Sequence, residues 1–181
     1  MIITDHERIT WDPVSWCHSS RLPPEGKRSV GIQRSMMNKF FNQRYNLAPI
    51  TSEVVTLPFV DWLLKNWFYL HDACFYMACQ RYRRSIYNET QFCEGIKRYK
   101  RLNLINPAVF PHGEVDIKTL QMLASRELSF MGAELPSAIN QRLSLIFEER
   151  EDKFTGSPSF NKSYLMMAVN HARSYPIDLH A

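Results

Sequence analysis

The chain has 181 residues, 45% hydrophobic and 22% charged, which is enough to bury a core as one domain and too evenly mixed for a disordered chain or a coiled coil. A formal net charge of +4 and a pI near 8.9 suit acidic partners but fall short of the charge that a dedicated nucleic-acid binder concentrates. Cys17, Cys74, Cys79 and Cys93 form no C-x-x-C pair, the N-terminus has no basic-then-apolar leader, and no apolar run reaches the roughly 20 residues needed to span a bilayer, so a cytoplasmic protein with free thiols is expected.

The first element is the aromatic stretch Ile9 to His18, read as a short strand or turn whose tryptophans tuck onto the domain. Pro23, Pro24 and Gly26 make the following run, Ser19 to Lys27, a loop. From Ser29 to Tyr45 apolar residues at Ile32, Met36, Met37, Phe40 and Phe41 keep helical spacing, which predicts an amphipathic helix. Thr51 or Ser52 can cap the next helix, with Glu53 in its first turn. Pro58 predicts a break near Leu57, with a helical run from Phe59 to about Lys65.

Leu70 to Tyr87 reads as the central helix, because Leu70, Ala73, Cys74, Met77, Ala78 and Tyr82 share a face. A more polar helix follows from Asn88 to Arg101, with Gly95 counting against it. Leu102 to Gly113 is a loop, and Asp116 can cap a helix from Ile117 to about Met131. Pro136 suits the first turn of a helix ending near Phe147. Glu148 to Ser159 reads as a surface loop, and a last helix runs from about Lys162 to Ser174, before Pro176. The expected architecture is mainly α: a single compact domain over 1–181 of about six to eight helices, with room for a small β element near the N-terminus.

Catalytic and metal chemistry finds little support. His71, Cys74 and Cys79 lack the second ligand pair of a structural zinc site, and Cys74 and Cys79 read better as small buried residues. No glycine-rich phosphate loop, G-x-S-x-G or H-E-x-x-H occurs, so neither an enzyme nor a cofactor is expected. Arg81, Arg83 and Arg84, then Lys97, Arg98, Lys100 and Arg101, form two basic clusters interleaved with tyrosines. They allow a nucleic-acid-binding regulator as the alternative reading, although an acidic protein surface suits the same charges better. Among Phe59, Trp62, Trp67, Phe68 and Tyr69, a core role is expected for most, with exposure expected at Trp67 and Tyr69.

Four stretches, in order along the chain, carry a resemblance. Ile9 to Leu22, with Trp11-Asp12-Pro13, Trp16, His18 and Arg21-Leu22, resembles the N-terminal signature of the SctK proteins, also called OrgA or MxiK. Trp67 to Arg84, Leu120 to Phe147, and Tyr164 to Pro176 with its closing Tyr-Pro are similar to later helices of that family. The resemblance implies a non-enzymatic adaptor of the type III secretion sorting platform, without substrate, metal or cofactor. It would link the cytoplasmic domain of the inner-membrane ring protein, SctD, to the pod protein, SctQ, at the cytoplasmic base of the apparatus, and effector secretion would need it. Trp11, Asp12, Pro13, Trp16 and His18 are then read as a structural signature, and Trp67, Tyr69, Arg81, Arg83 and Arg84 as candidate protein contacts.

Overall fold

In the computed structural model, which describes residues 4–24, 26–87, 92–108, 110, 113–129, 135–148 and 161–177, the regular elements are all helical. In chain order the α-helices are α1 (Asp5–Trp11), α2 (Gly31–Arg44), α3 (Ser52–Val55), α4 (Pro58–Lys65), α5 (Leu70–Arg81), α6 (Glu94–Arg101), α7 (Ile117–Ser129), α8 (Ser137–Leu143) and α9 (Lys162–Ser174). Several boundaries follow from local chemistry. Thr4 and Glu7 form a capping box at α1, each side chain accepting from the other's backbone N–H. Pro58 breaks the apolar run and opens α4 at its first turn, where a missing N–H costs nothing. The Thr119 N–H donates to Asp116 Oδ1 at 2.7 Å ahead of α7, and the Tyr164 N–H to Asn161 Oδ1 at 3.0 Å ahead of α9.

Of the strand or turn expected in the N-terminal stretch, the structure has the turn: α1 is followed by a 3-10 turn, Pro13–Ser15, and the described residues contain no strand. The capping box starts the helix and Asp12-Pro13 stops it, leaving too few extended residues to pair. The central helix stops at Arg81 rather than Tyr87, passing into a 3-10 turn at Arg83–Ser85. Positions 88–91, 130–134 and 149–160 lie outside the described residues, including parts of the expected 88–101 and 117–131 helices and of the loop after Phe147.

The chain divides into two units. The first comprises Met1–Phe68 and Met131–Phe154. In it α1 packs on α4 and on the Pro13–Ser15 turn, which in turn packs on α2. The returning segment is held by hydrogen bonds: the His18 N–H donates to the Leu145 carbonyl at 2.9 Å, and the Ala48 N–H to Gln141 Oε1 at 3.0 Å. Arg142 on α8 is almost fully buried and donates to the Ala48 carbonyl at 2.7 Å and the Ala138 carbonyl at 2.6 Å. Burial pushes its guanidinium down to about 10, so it still carries its charge at neutral pH.

The second unit comprises Tyr69–Phe130 and Thr155–Ala181, with α6, α7 and α9 packed around α5. A surface helix buries one stripe; α5 buries everything from Ala73 to Gln80, as a helix walled by neighbours must. Small side chains at Ala73, Cys74, Ala78 and Cys79 suit that position, and burial raises both thiols well above the ordinary range.

Gly95 belongs to the same packing. A Cβ there would stand 2.7 Å from Tyr175 Cβ and 2.7 Å from Tyr76 Oη, whose hydroxyl donates to the Tyr175 carbonyl at 2.7 Å. The neighbouring His171 Nε2 donates to the Gly95 carbonyl at 2.9 Å. Gly95→Ala gains roughly 1 kcal/mol of helix propensity, but overpacking of such a site costs about 1–3 kcal/mol. The expected outcome is a lower thermal midpoint by circular dichroism; an unchanged or raised midpoint would show that Tyr175 moves aside freely.

Candidate interaction surface

The aromatic signature near the N-terminus is a clamp. Asp12 follows α1, and its carboxylate accepts from Arg34 Nε at 2.9 Å, Arg34 Nη2 at 2.8 Å and Asn38 Nδ2 at 2.8 Å. Pro13 starts the 3-10 turn, and the Val14 N–H donates to Asn38 Oδ1 at 3.1 Å. The two hydrogen-bonding residues of α2, four apart, are thereby turned towards the turn and fix how the helix is rotated. Trp16 is buried, its indole N–H donating to the Ile9 carbonyl at 3.0 Å, with its ring edge-on to Trp67 at 5.5 Å. His18 Nδ1 accepts from the Ser20 N–H at 3.2 Å, and Arg21 donates to the carbonyls of Ser144 and Phe147. Trp11 differs from the others: it is not tucked in but 64% exposed, beside a groove of about 1010 Å³ between α1 and α2.

The expected contact residues have unlike surroundings. Trp67 is 1% exposed, which corrects the expectation that it reaches the surface: the break before α5 turns its ring inward onto Trp16 instead of outward. Tyr69 is exposed, with the Arg173 guanidinium 5.4 Å from its ring centre. Arg81 forms a bidentate ion pair with the buried Glu127 of α7, both contacts 2.7 Å. Arg83 donates to the Gln80 and Ile105 carbonyls and to Asn103 Oδ1, fastening the turn after α5. Arg84 is exposed. In the second basic cluster Arg98 bridges Glu94 and the Tyr175 hydroxyl, and Lys100 donates to the Ile86 carbonyl. Much of the basic sequence signal is therefore engaged in holding the second unit together.

One surface escaped the sequence reading. With Arg34, Asn38 and Phe41 of α2 turned inward, Ile32, Met36 and Phe40 stand outward, 81%, 67% and 60% exposed. Helical spacing identifies the stripe but not its partner. The separate sign in the sequence is charge: between residues 26 and 52 the chain has five basic residues and no acidic one.

No metal centre is present among the described residues, where no three His, Cys, Asp or Glu side chains converge. His71 Nδ1 instead lies 3.2 Å from the Asp72 carboxylate, and Cys93 is exposed.

The family model described as bacterial type III secretion apparatus protein (OrgA_MxiK) matches residues 6–174. The chain belongs to this family. The matched span includes Trp11–His18, all or part of each α-helix, and segments of both units. In this OrgA_MxiK member no helix among the described residues is long and apolar enough to cross a membrane. Comparisons with curated proteins and with solved structures give no match.

Proposed function

We propose that the chain is a non-enzymatic adaptor of the type III secretion sorting platform. It joins the cytoplasmic domain of the inner-membrane ring protein SctD to the pod protein SctQ, with both units serving as one adaptor domain at the cytoplasmic face of the inner membrane. The observation that carries this reading is the family match over residues 6–174. Support comes from the chemistry of the charged side chains. Asp12, Arg34, Arg81, Glu127 and Arg142 are each paired with one another or with backbone carbonyls, which gives them a structural role. The same engagement of Arg81, Arg83 and Arg98 speaks against a nucleic-acid-binding strip, which needs cations free to meet phosphates.

Tyr69 and Arg84 are the proposed contacts at the surface, with Arg83 fixing the turn that carries Arg84; Arg81 and Trp67 keep structural roles. The test is affinity purification of the tagged chain from its own secreting bacterium, with identification of what accompanies it. Recovery of the ring protein's cytoplasmic domain together with the pod protein is expected. Tyr69→Ala combined with Arg84→Glu should reduce one of the two by several fold while the far-ultraviolet circular dichroism is unchanged. Recovery of nucleic acid in place of either protein would overturn the adaptor reading.

A further inference from the structure

The outward face of α2 carries more apolar surface than its surroundings account for. Ile32, Met36 and Phe40 follow one another at i, i+4 and i+8, a ridge about 12 Å long at 1.5 Å per residue. Single exposed apolar side chains are ordinary, but a continuous row of three on one helix marks a contact surface. The helix's inner side is already occupied: Phe41 is buried, and Arg34 and Asn38 are bound to Asp12.

The ridge is set in positive charge. Lys39 stands seven residues, close to two turns, from Ile32 and is exposed on the same face. Arg28, also exposed, lines a hollow of about 560 Å³ together with Pro23, Gly26, Gln33, Met36 and Met37. Among the described residues, neither Arg28 nor Lys39 has a carboxylate partner, whereas Arg34 has Asp12. With no acidic residue from 26 to 52, the face offers apolar side chains and uncompensated cations together.

We infer that the outward face of α2 docks an acidic amphipathic helix of a protein partner, its apolar side chains along Ile32, Met36 and Phe40 and its carboxylates on Arg28 and Lys39. The inference rests on the adaptor reading and names the surface and partner chemistry it uses. Helix-on-helix docking takes its affinity from apolar anchors, and rim charges set orientation and encounter rate, which salt then weakens. A second copy docked through its own α2 face is a poorer occupant, because it would bring the same cations against this one.

The test places a photo-crosslinking amino acid at Met36 in the full chain, in the secreting bacterium, and identifies the crosslinked peptide. An adduct within an Asp- and Glu-bearing amphipathic segment of an apparatus protein is expected. Phe40→Asp should abolish that adduct and Lys39→Glu should reduce it several fold, with circular dichroism unchanged. An adduct to this same chain, an adduct in a segment without acidic residues, or an adduct insensitive to both substitutions overturns the inference. So does the absence of any adduct while ring and pod proteins still co-purify, a result that leaves the adaptor reading standing. If neither protein accompanies the unmodified chain, it is the adaptor reading that has failed, and this inference with it.

Discussion

Replacing Trp67 by alanine is expected to destabilise the first unit by about 3–5 kcal/mol, the usual range for removing a buried tryptophan. The side chain is fully enclosed, its ring meets Trp16 edge-on at 5.5 Å, and Trp16 in turn holds the Ile9 carbonyl of α1. The loss therefore combines the apolar area, the aromatic pairing and the anchor of the N-terminal helix. Trp67→Phe should cost less than half as much, because a ring still fills the site and the Trp67 indole N–H, which has no hydrogen-bond partner among the described residues, is removed. Trp11→Ala, at an exposed position, should change stability by no more than about 0.5 kcal/mol. Urea unfolding followed by circular dichroism separates these cases. Equal midpoints for the Trp67→Ala and Trp11→Ala variants would refute the packing account.

The second large effect is expected at Glu127. Its carboxylate is nearly inaccessible and receives both Arg81 contacts at 2.7 Å. Glu127→Leu leaves the Arg81 guanidinium partly buried without its counter-charge, and breaking a buried pair from one side typically costs about 3–5 kcal/mol. Removing both charges together is different, since apolar groups of similar volume avoid the desolvation that the ion pair must offset. Arg81→Met with Glu127→Leu should accordingly recover most of the loss, giving a large coupling in a double-mutant cycle. Strict additivity of the two single substitutions would mean that the pair is not the source of the effect. All four tryptophans, at positions 11, 16, 62 and 67, belong to the first unit. Tryptophan fluorescence thus probes the surroundings of side chains in that unit.

The helical class and most element positions were legible because their causes are local. Lys162 to Ser174 has an Asn161 cap, a regular apolar period and a following Pro176, all within the segment itself. Pro58 and Asp116 likewise act on their immediate neighbours. Gly95 was legible only as a weakness in a helix, since its reason for being glycine lies at Tyr76 and Tyr175, far away in sequence. The surface was least legible. Whether Ile32, Met36 and Phe40 face in or out depends on Asp12 binding Arg34 and Asn38, and whether Trp67 is exposed depends on where Trp16 lies. Periodicity specifies that a stripe exists; only the tertiary partner decides which stripe is covered.

Neither unit is a continuous length of sequence: the first is completed by Met131–Phe154 and the second by Thr155–Ala181. During synthesis on the ribosome, α1 to α4 must wait for α8, whose Gln141 and Arg142 hold the loop at Ala48. The buried face of α5 waits longer still, for Leu165 and Val169 of α9. Each unit is therefore completed only after a segment of the other has been made, and no single cut within residues 1–181 leaves both units whole.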